Sequence, residues 1–151
     1  MYSYFPVFAY YLQDALTEPV RVGLLRDLAD ADLVDGLAVQ VYRNSEEMEI
    51  VDQGFEDQYR LRIDFVYSVS VVSNISEAVC NETASSIVEI LAPGSDISLT
   101  YDGTSYNMYI DKVKDVVEFA QAAGSGAGSG AGMGFWHETI TFTGATYSRL
   151  I

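Results

Sequence analysis

The sequence has little of the chemistry on which catalytic and metal sites depend. It contains one cysteine, Cys80, and one histidine, His137, among 151 residues. A single cysteine cannot form a disulfide within the chain, and a lone histidine with no cysteine pair or acidic cluster beside it lacks the partners of a zinc site or a nucleophile–base pair. We therefore predict no enzymatic activity, no cofactor and no metal. Cys80 is expected to be a small buried side chain, and His137 to have a structural or interfacial role.

Basic residues are also scarce. Eight Lys and Arg stand against 22 Asp and Glu, which gives a formal charge of −14, and the only lysines are Lys112 and Lys114. This charge disfavours a surface that grips nucleic acid or an anionic membrane, because both would repel it. Three interpretations stay open: an ordinary solvated acidic surface, adaptation to high salt, and a channel wall that lets a polyanion pass.

Long hydrophobic runs are missing. No stretch of apolar residues is long enough for a transmembrane helix, which needs about 18 or more, so no membrane partner is predicted. The apolar N-terminus, residues 1–12, lacks a basic leader and a small-residue cleavage site, and it is not expected to be a secretion signal. The composition nevertheless suffices for a packed core, so we predict one domain over residues 1–151.

The strongest pattern that is present is an alternation between Gln58 and Val72. Seven apolar residues fall on one side, and the other side is polar except at Val66 and Val72: Tyr59, Leu61, Ile63, Phe65, Tyr67, Val69 and Val71 form the apolar side. A period of two is that of a strand with one buried face, and this run is much longer than the usual strand of about five or six residues. The alternation predicts a long central strand.

Two segments have helical spacing. Apolar residues after Pro6 recur every three or four positions and predict an N-terminal helix that ends before Pro19. Asn74 and Glu77 resemble a capping box at the start of a second helix, which Pro93 ends. The apolar stripe of this second helix indicates that it lies across the sheet.

Several shorter segments complete the sheet. Residues 37–42 alternate like a strand, the acidic residues 43–55 are either a long loop or an extension, and residues 20–35 are either a short helix or a covered loop. Asp102-Gly103 predicts a two-residue hairpin turn, followed by a strand that continues with a bend to Phe119. Trp136, Ile140 and Phe142 alternate with polar residues and predict a closing strand packed on the second helix.

Together these patterns predict an α+β fold, with a mostly antiparallel sheet around a long central strand, covered by one main helix plus an N-terminal helix. Residues 122–134 consist almost entirely of Gly, Ala and Ser and are expected to form a flexible connector, either a natural loop or an inserted linker.

Tyrosine is abundant, with eleven residues, of which four lie near the N-terminus and three flank the predicted hairpin. Aromatic side chains with a polar tip are enriched at protein interfaces, which favours self-association. The predicted interface, with another copy or with a tube, consists of Tyr2, Tyr4, Tyr101, Met133, Phe135 and His137.

The predicted order of elements is helix, strand, acidic segment, long strand, capped helix, hairpin and closing strand. In this order the chain resembles the tail terminator proteins of long-tailed phages and related viruses. Three segments carry the resemblance: the central strand Arg60–Ser70, the covering helix Ser76–Leu91 and the closing strand Gly134–Phe142.

The resemblance implies a virion protein, assembled in the host cytoplasm, that forms a homo-hexameric ring at the head-proximal end of the tail tube. Such a ring stops tube polymerisation and joins the tail to connector or neck proteins, while genome DNA passes without specific binding. An acidic lumen suits this passage, because a wall that bound phosphates would stall the DNA. The alternatives are another neck, tail-completion or head–tail connector subunit, and a soluble acidic binding module.

Overall fold

The computed structural model describes residues 3–17, 20–22, 33–52, 59–121 and 134–150. These residues form two helices and one six-stranded sheet, which confirms the predicted α+β class. The helices are α1 (Phe5–Ala15) and α2 (Glu77–Leu91). The strands are β1 (Val20–Val22), β2 (Leu37–Asp52), β3 (Tyr59–Ser73), β4 (Asp96–Tyr101), β5 (Thr104–Gln121) and β6 (Gly134–Leu150).

The strands lie in the order β1-β2-β3-β6-β5-β4, and all neighbours are antiparallel except β1 and β2. The predicted long strand β3 is central, and the closing strand β6 inserts between β3 and β5. The Gly/Ala/Ser segment lies outside the described residues, apart from Gly134 at the start of β6.

One face of the sheet, the inner face, carries the core beneath the two helices. The apolar positions of β3 from Leu61 to Val71 are buried, as their alternation predicted. Helix α2 contacts β3 and β6, and α1 contacts both edge strands, β1 and β4. The ring of Phe8 lies 4.8 Å from that of Tyr67 and 6.3 Å from that of Phe142, between ring centroids. Aromatic packing therefore holds α1 against the centre of the sheet.

The start of α2 differs from the prediction. The N-cap is Ser76, whose hydroxyl oxygen accepts a hydrogen bond from the backbone N–H of Val79 at 3.3 Å, so the proposed cap at Asn74 was wrong. Ser76 has extended backbone dihedrals and stands three residues before the N–H that it satisfies, which is the geometry of an N-cap. The backbone N–H of Asn74 instead donates to the carbonyl oxygen of Gly36.

The acidic segment after residue 42 is an extension of β2, which pairs with β3 as far as Asp52. A bulge at Asn44 interrupts the pairing and changes which side chains face the helices. Val39 and Val41 lie on the inner face before the bulge, and Glu46 and Met48 lie on it afterwards. Alternation read across the bulge therefore gives the wrong face for the second half of β2.

Residues 20–22 were predicted to belong to a short helix or a covered loop. They form instead the short strand β1, which pairs in parallel with Val39–Val41 of β2.

The predicted hairpin is present, with Asp102 and Gly103 both at positive φ, as a type I′ turn requires. The predicted bend in β5 is a bulge between Ile110 and Lys112.

Gly144 of β6 lies opposite this bulge. A Cβ atom there would come within 2.8 Å of the Phe65 ring and would also meet the carbonyl oxygen of Tyr109. Only glycine allows this close approach of β6 to the bulged strand.

Candidate functional site

Among the residues predicted to form an interface, Tyr4, Tyr101 and His137 have described side chains, and these three do not share one surface. Tyr4 is only 2% exposed and lies in the core, so its assignment to a surface contact is corrected. Tyr101 is half-buried, with its ring centroid 5.2 Å from that of Tyr10. His137 is half-buried, and its Nε2 lies 3.1 Å from the hydroxyl oxygen of Thr139. Tyr101 shares the inner face with Ile97 of β4, whereas His137 lies on the opposite face, so the two do not belong to one surface.

The remaining predicted interface residues cannot be placed as side chains. Tyr2 and Met133 lie outside the described residues. Phe135 belongs to β6 and pairs with Ala120, but its side chain is outside the described part of the chain.

A carboxylate that the sequence did not single out joins the first helix to the sheet. Glu46 accepts hydrogen bonds from the hydroxyl of Ser3 at 2.7 Å, from the backbone N–H of Tyr4 at 2.8 Å and from the hydroxyl of Tyr67 at 2.8 Å. Arg43 adds an ion pair at 3.0 Å. Glu46 therefore anchors the start of α1, where the helix dipole also favours a negative charge.

Burial and hydrogen bonding act in opposite directions on Glu46, whose side chain is 6% exposed. Burial raises its pKa, but the hydrogen bonds from Ser3, Tyr67, Tyr4 and Arg43 outweigh burial, and the net pKa lies below the ordinary value. Burial, followed by the hydrogen bond and charge of Glu46, raises the pKa of Tyr67, which keeps this phenol a neutral donor. The cluster is thus an ionised structural site near neutral pH.

A second carboxylate, Glu138, lies on the inner face of β6. It is 3% exposed, and its Oε1 has no hydrogen-bond partner in the described part of the chain. Its pKa is raised to about 7. The largest cause is burial, followed by a hydrogen bond with Asp115 and by the negative charges of Asp115 and Glu77. The sequence carried a signal for this group, because Glu138 occupies an apolar position between Trp136 and Ile140.

The only cysteine lies near this carboxyl group. Cys80 is fully buried, as predicted, and its thiol donates to the carbonyl oxygen of Trp136 at 3.2 Å. Burial, and then the charge of Glu138, raises the pKa of Cys80 to about 11. The thiol is therefore protonated near neutral pH, which removes the nucleophilic form.

The face away from the helices, here called the outer face, carries rows of small hydroxyl side chains at its centre. Ser68 and Ser70 of β3 are buried, and their hydroxyl oxygens lie 3.2 Å from those of Thr141 and Thr139 of β6. Cross-strand hydroxyl pairs of this kind contribute to the stability of a sheet. The centre of the outer face is therefore rich in hydroxyl groups, and Leu33 packs against Ala38 and Val72 on the same face.

Charged side chains of opposite sign lie on the outer face at the two lateral sides of the sheet. The register places Lys112 and Lys114 of β5 on the outer face, next to the β6 threonines, and both lysines are exposed. Glu47 and Glu49 of β2 lie on the same face at the other side of the sheet and are also exposed. Both lysines of the chain thus stand two residues apart on one strand.

The sheet ends laterally in two half-edges that no described strand covers. Strand β4 pairs with β5 only over Thr104–Tyr109, which leaves Lys112–Gln121 without a neighbour on that side. Strand β1 pairs with β2 only over Val39–Val41, which leaves Tyr42–Asp52 without one on the other side. Exposed strand edges present backbone donors and acceptors that can pair with another chain.

An open groove of about 340 Å³ lies between the end of α1 and α2. Its lining residues are Ala15, Leu16, Thr17, Glu82, Thr83, Ser86 and Ile90. It contains neither Glu46 nor Glu138. The groove therefore brings no perturbed carboxyl group together with a nucleophile.

Two searches of the described residues were negative. No group of three or more His, Cys, Asp or Glu side chains is placed to hold a metal ion. No helix in the same residues is long and apolar enough to cross a membrane. Comparison of the chain with models of known protein families gave no match, and a search of the curated proteins gave none either.

Proposed function

We propose that this protein is a structural subunit of a viral tail, which forms a ring at the head-proximal end of the tail tube, ends tube polymerisation and joins the tail to the neck. The chain acts by binding protein surfaces and performs no catalysis. Its partners are further copies of itself, the tube protein on one side and connector or neck proteins on the other.

The observation that carries the proposal is the acidic second half of β2. Residues 47–50 are exposed on both faces of the strand, although β2 remains paired with β3. Among them the apolar side chains of Met48 and Ile50 are 40% and 64% exposed. Apolar side chains that are exposed to solvent and bordered by polar groups are a feature of protein contact surfaces.

The charge of the chain supports a ring around a DNA passage. A formal charge of −14 gives a subunit that repels phosphate, and a ring of such subunits would lower the affinity of its lumen for DNA. The order of elements supports the same assignment, because α1, the β2–β3 ribbon, α2, the β4–β5 hairpin and closing β6 follow in the sequence that suggested a terminator.

Negative-stain imaging of preformed tail tubes mixed with the purified chain tests the proposal. We expect extra ring-shaped density at one end of each tube and none along its side. Density on isolated neck complexes but not on tubes would instead support a connector subunit. No density on either would contradict a virion role and favour a soluble binding module.

A further inference from the structure

The two half-edges that no described strand covers differ in position as well as in sequence. The half-edge of β2, Tyr42–Asp52, lies towards the end of the sheet where β3 begins, and that of β5, Lys112–Gln121, lies towards the end where β3 finishes. They also stand on opposite lateral sides of the sheet. One chain thus presents two different strand edges at diagonally opposite corners.

We propose that these half-edges bind each other between copies of the chain, so that the β5 half-edge of one copy pairs with the β2 half-edge of the next and the two sheets become continuous. The partner is a second copy of this chain. The contact is made by backbone hydrogen bonds along the strands, with side chains selecting the register.

The direction of the strands fits antiparallel pairing. Each step from β2 to β3, from β3 to β6 and from β6 to β5 reverses the direction, so β2 and β5 run opposite to one another. A neighbouring copy placed side by side in the same orientation therefore presents its β2 antiparallel to β5. No inversion of the second copy is needed.

The charges fit the same contact. When Met48 of one copy lies opposite Val113 of the other, antiparallel alignment places Glu47 opposite Lys114 and Glu49 opposite Lys112. Both acid–base pairs then lie on the outer face, because the two glutamates and the two lysines share that face. Opposite charges directly across a strand pair favour that register, whereas like charges disfavour it.

The apolar groups fit as well. Met48 is 40% exposed in the single chain and Val113 is half-buried, and both lie on the inner face. Pairing the edges would bring them together and cover the exposed part of Met48. Each copy contacts one neighbour through its β5 half-edge and another through its β2 half-edge, so the contact is head-to-tail. Head-to-tail contacts close into rings when the rotation between copies permits.

The contact also predicts a stagger between neighbouring copies, because the two half-edges lie at opposite ends of the sheet. Strands in a closed array that is staggered in this way tilt relative to the ring axis. The inference rests on the proposed function for its biological setting, since it supplies the subunit contact of the ring. Its test needs no tail tube, so the two can fail separately.

A disulfide across the contact tests the proposal directly. In the variant Glu47→Cys/Lys114→Cys, the two positions of one chain are separated by at least three strand spacings, about 14 Å, and a disulfide cannot bridge Cα atoms more than about 7 Å apart. Native Cys80 is buried. Oxidised glutathione should therefore link copies into dimers and longer oligomers, visible as a ladder on a non-reducing gel.

The matched control is Glu82→Cys/Lys114→Cys, which moves the first cysteine to an exposed position on α2. We expect at least tenfold less cross-linked product from the control at equal concentration. A ladder of equal yield from both variants, or no ladder from either at about 0.5 mM protein, where millimolar to micromolar contacts are populated, would overturn the proposal.

Charge exchange provides a second readout by sedimentation. The variant Lys112→Glu/Lys114→Glu should associate at least tenfold more weakly than the natural chain, and adding Glu47→Lys/Glu49→Lys should restore association. Adding Glu82→Lys/Glu89→Lys gives the same net charge on α2 and should not restore it. Equal restoration by both pairs would show an effect of net charge alone and would contradict the contact.

Discussion

The hydroxyl of Tyr67 donates a hydrogen bond to Glu46 at 2.8 Å, which joins the central strand β3 to the extended half of β2 at the point where α1 begins. The same carboxylate oxygen accepts the backbone N–H of Tyr4. One side chain thus connects the start of α1 with the bulged part of β2 and with β3.

Replacing Glu46 by Gln should destabilise the fold at neutral pH. The amide keeps the shape but loses the charge that the Ser3, Tyr4 and Tyr67 donors stabilise, and we expect a loss of about 1–3 kcal/mol in the free energy of unfolding. Urea titration at pH 7 measures it. Glu82→Gln, on an exposed residue of α2, is the control and should change stability by less than about 0.5 kcal/mol.

The effect of Glu46→Gln should depend on pH in one direction. The folded state lowers the pKa of Glu46, so its contribution is present above the pKa of the unfolded chain and is lost as the pH falls through the folded pKa. The stability gap between the natural chain and the variant should therefore narrow in acid. A gap as wide at pH 3 as at pH 7 would show that the charge is irrelevant.

Glu138 should behave in the opposite sense. Its pKa is raised to about 7 in the folded state, so folding favours the protonated form, and this carboxyl group costs stability as the pH rises from its unfolded pKa through 7. Glu138→Gln should raise the free energy of unfolding at pH 8 by about 1–3 kcal/mol and have little effect at pH 4. The exposed Glu89→Gln serves as the control, and a variant less stable than the natural chain at pH 8 would contradict this account.

The closing strand provides a graded test of packing. Phe142 is fully buried against Phe8, whereas Trp136 is only half-buried. Phe142→Ala should cost about 3–5 kcal/mol, and Trp136→Ala should cost less. Denaturant titration compares the two, and a cost below about 1 kcal/mol for Phe142→Ala would refute its place in the core.

The sequence predicted the elements whose patterns are local and uninterrupted. Three patterns each identify one element without information from other parts of the chain. They are the alternation between Gln58 and Val72, the Asp102-Gly103 turn and the apolar stripe of α2. The sequence could not predict β1, because three residues contain too little pattern to show that they pair in parallel with β2.

The candidate site was less predictable, because it depends on irregularities and distant contacts. The bulge at Asn44 turns Glu46 inward, and alternation alone does not reveal such a bulge. The partners of Glu46 include Ser3 and Tyr67, far away in sequence. Tyr4 was assigned to a surface because tyrosine is frequent at interfaces, but here its ring stacks on Phe65 with centroids 5.6 Å apart. The abundance of tyrosine therefore does not show whether a particular tyrosine lies at the surface or in the core.

The most direct test of a role in ending tail tubes is the length of tubes grown from the cognate tube protein in the presence of this chain. Tube lengths and end structures are measured by electron microscopy, with an unrelated acidic protein at the same concentration as the control. We predict shorter tubes that carry extra density at one end only. Unchanged lengths and bare ends would contradict the proposed terminator function.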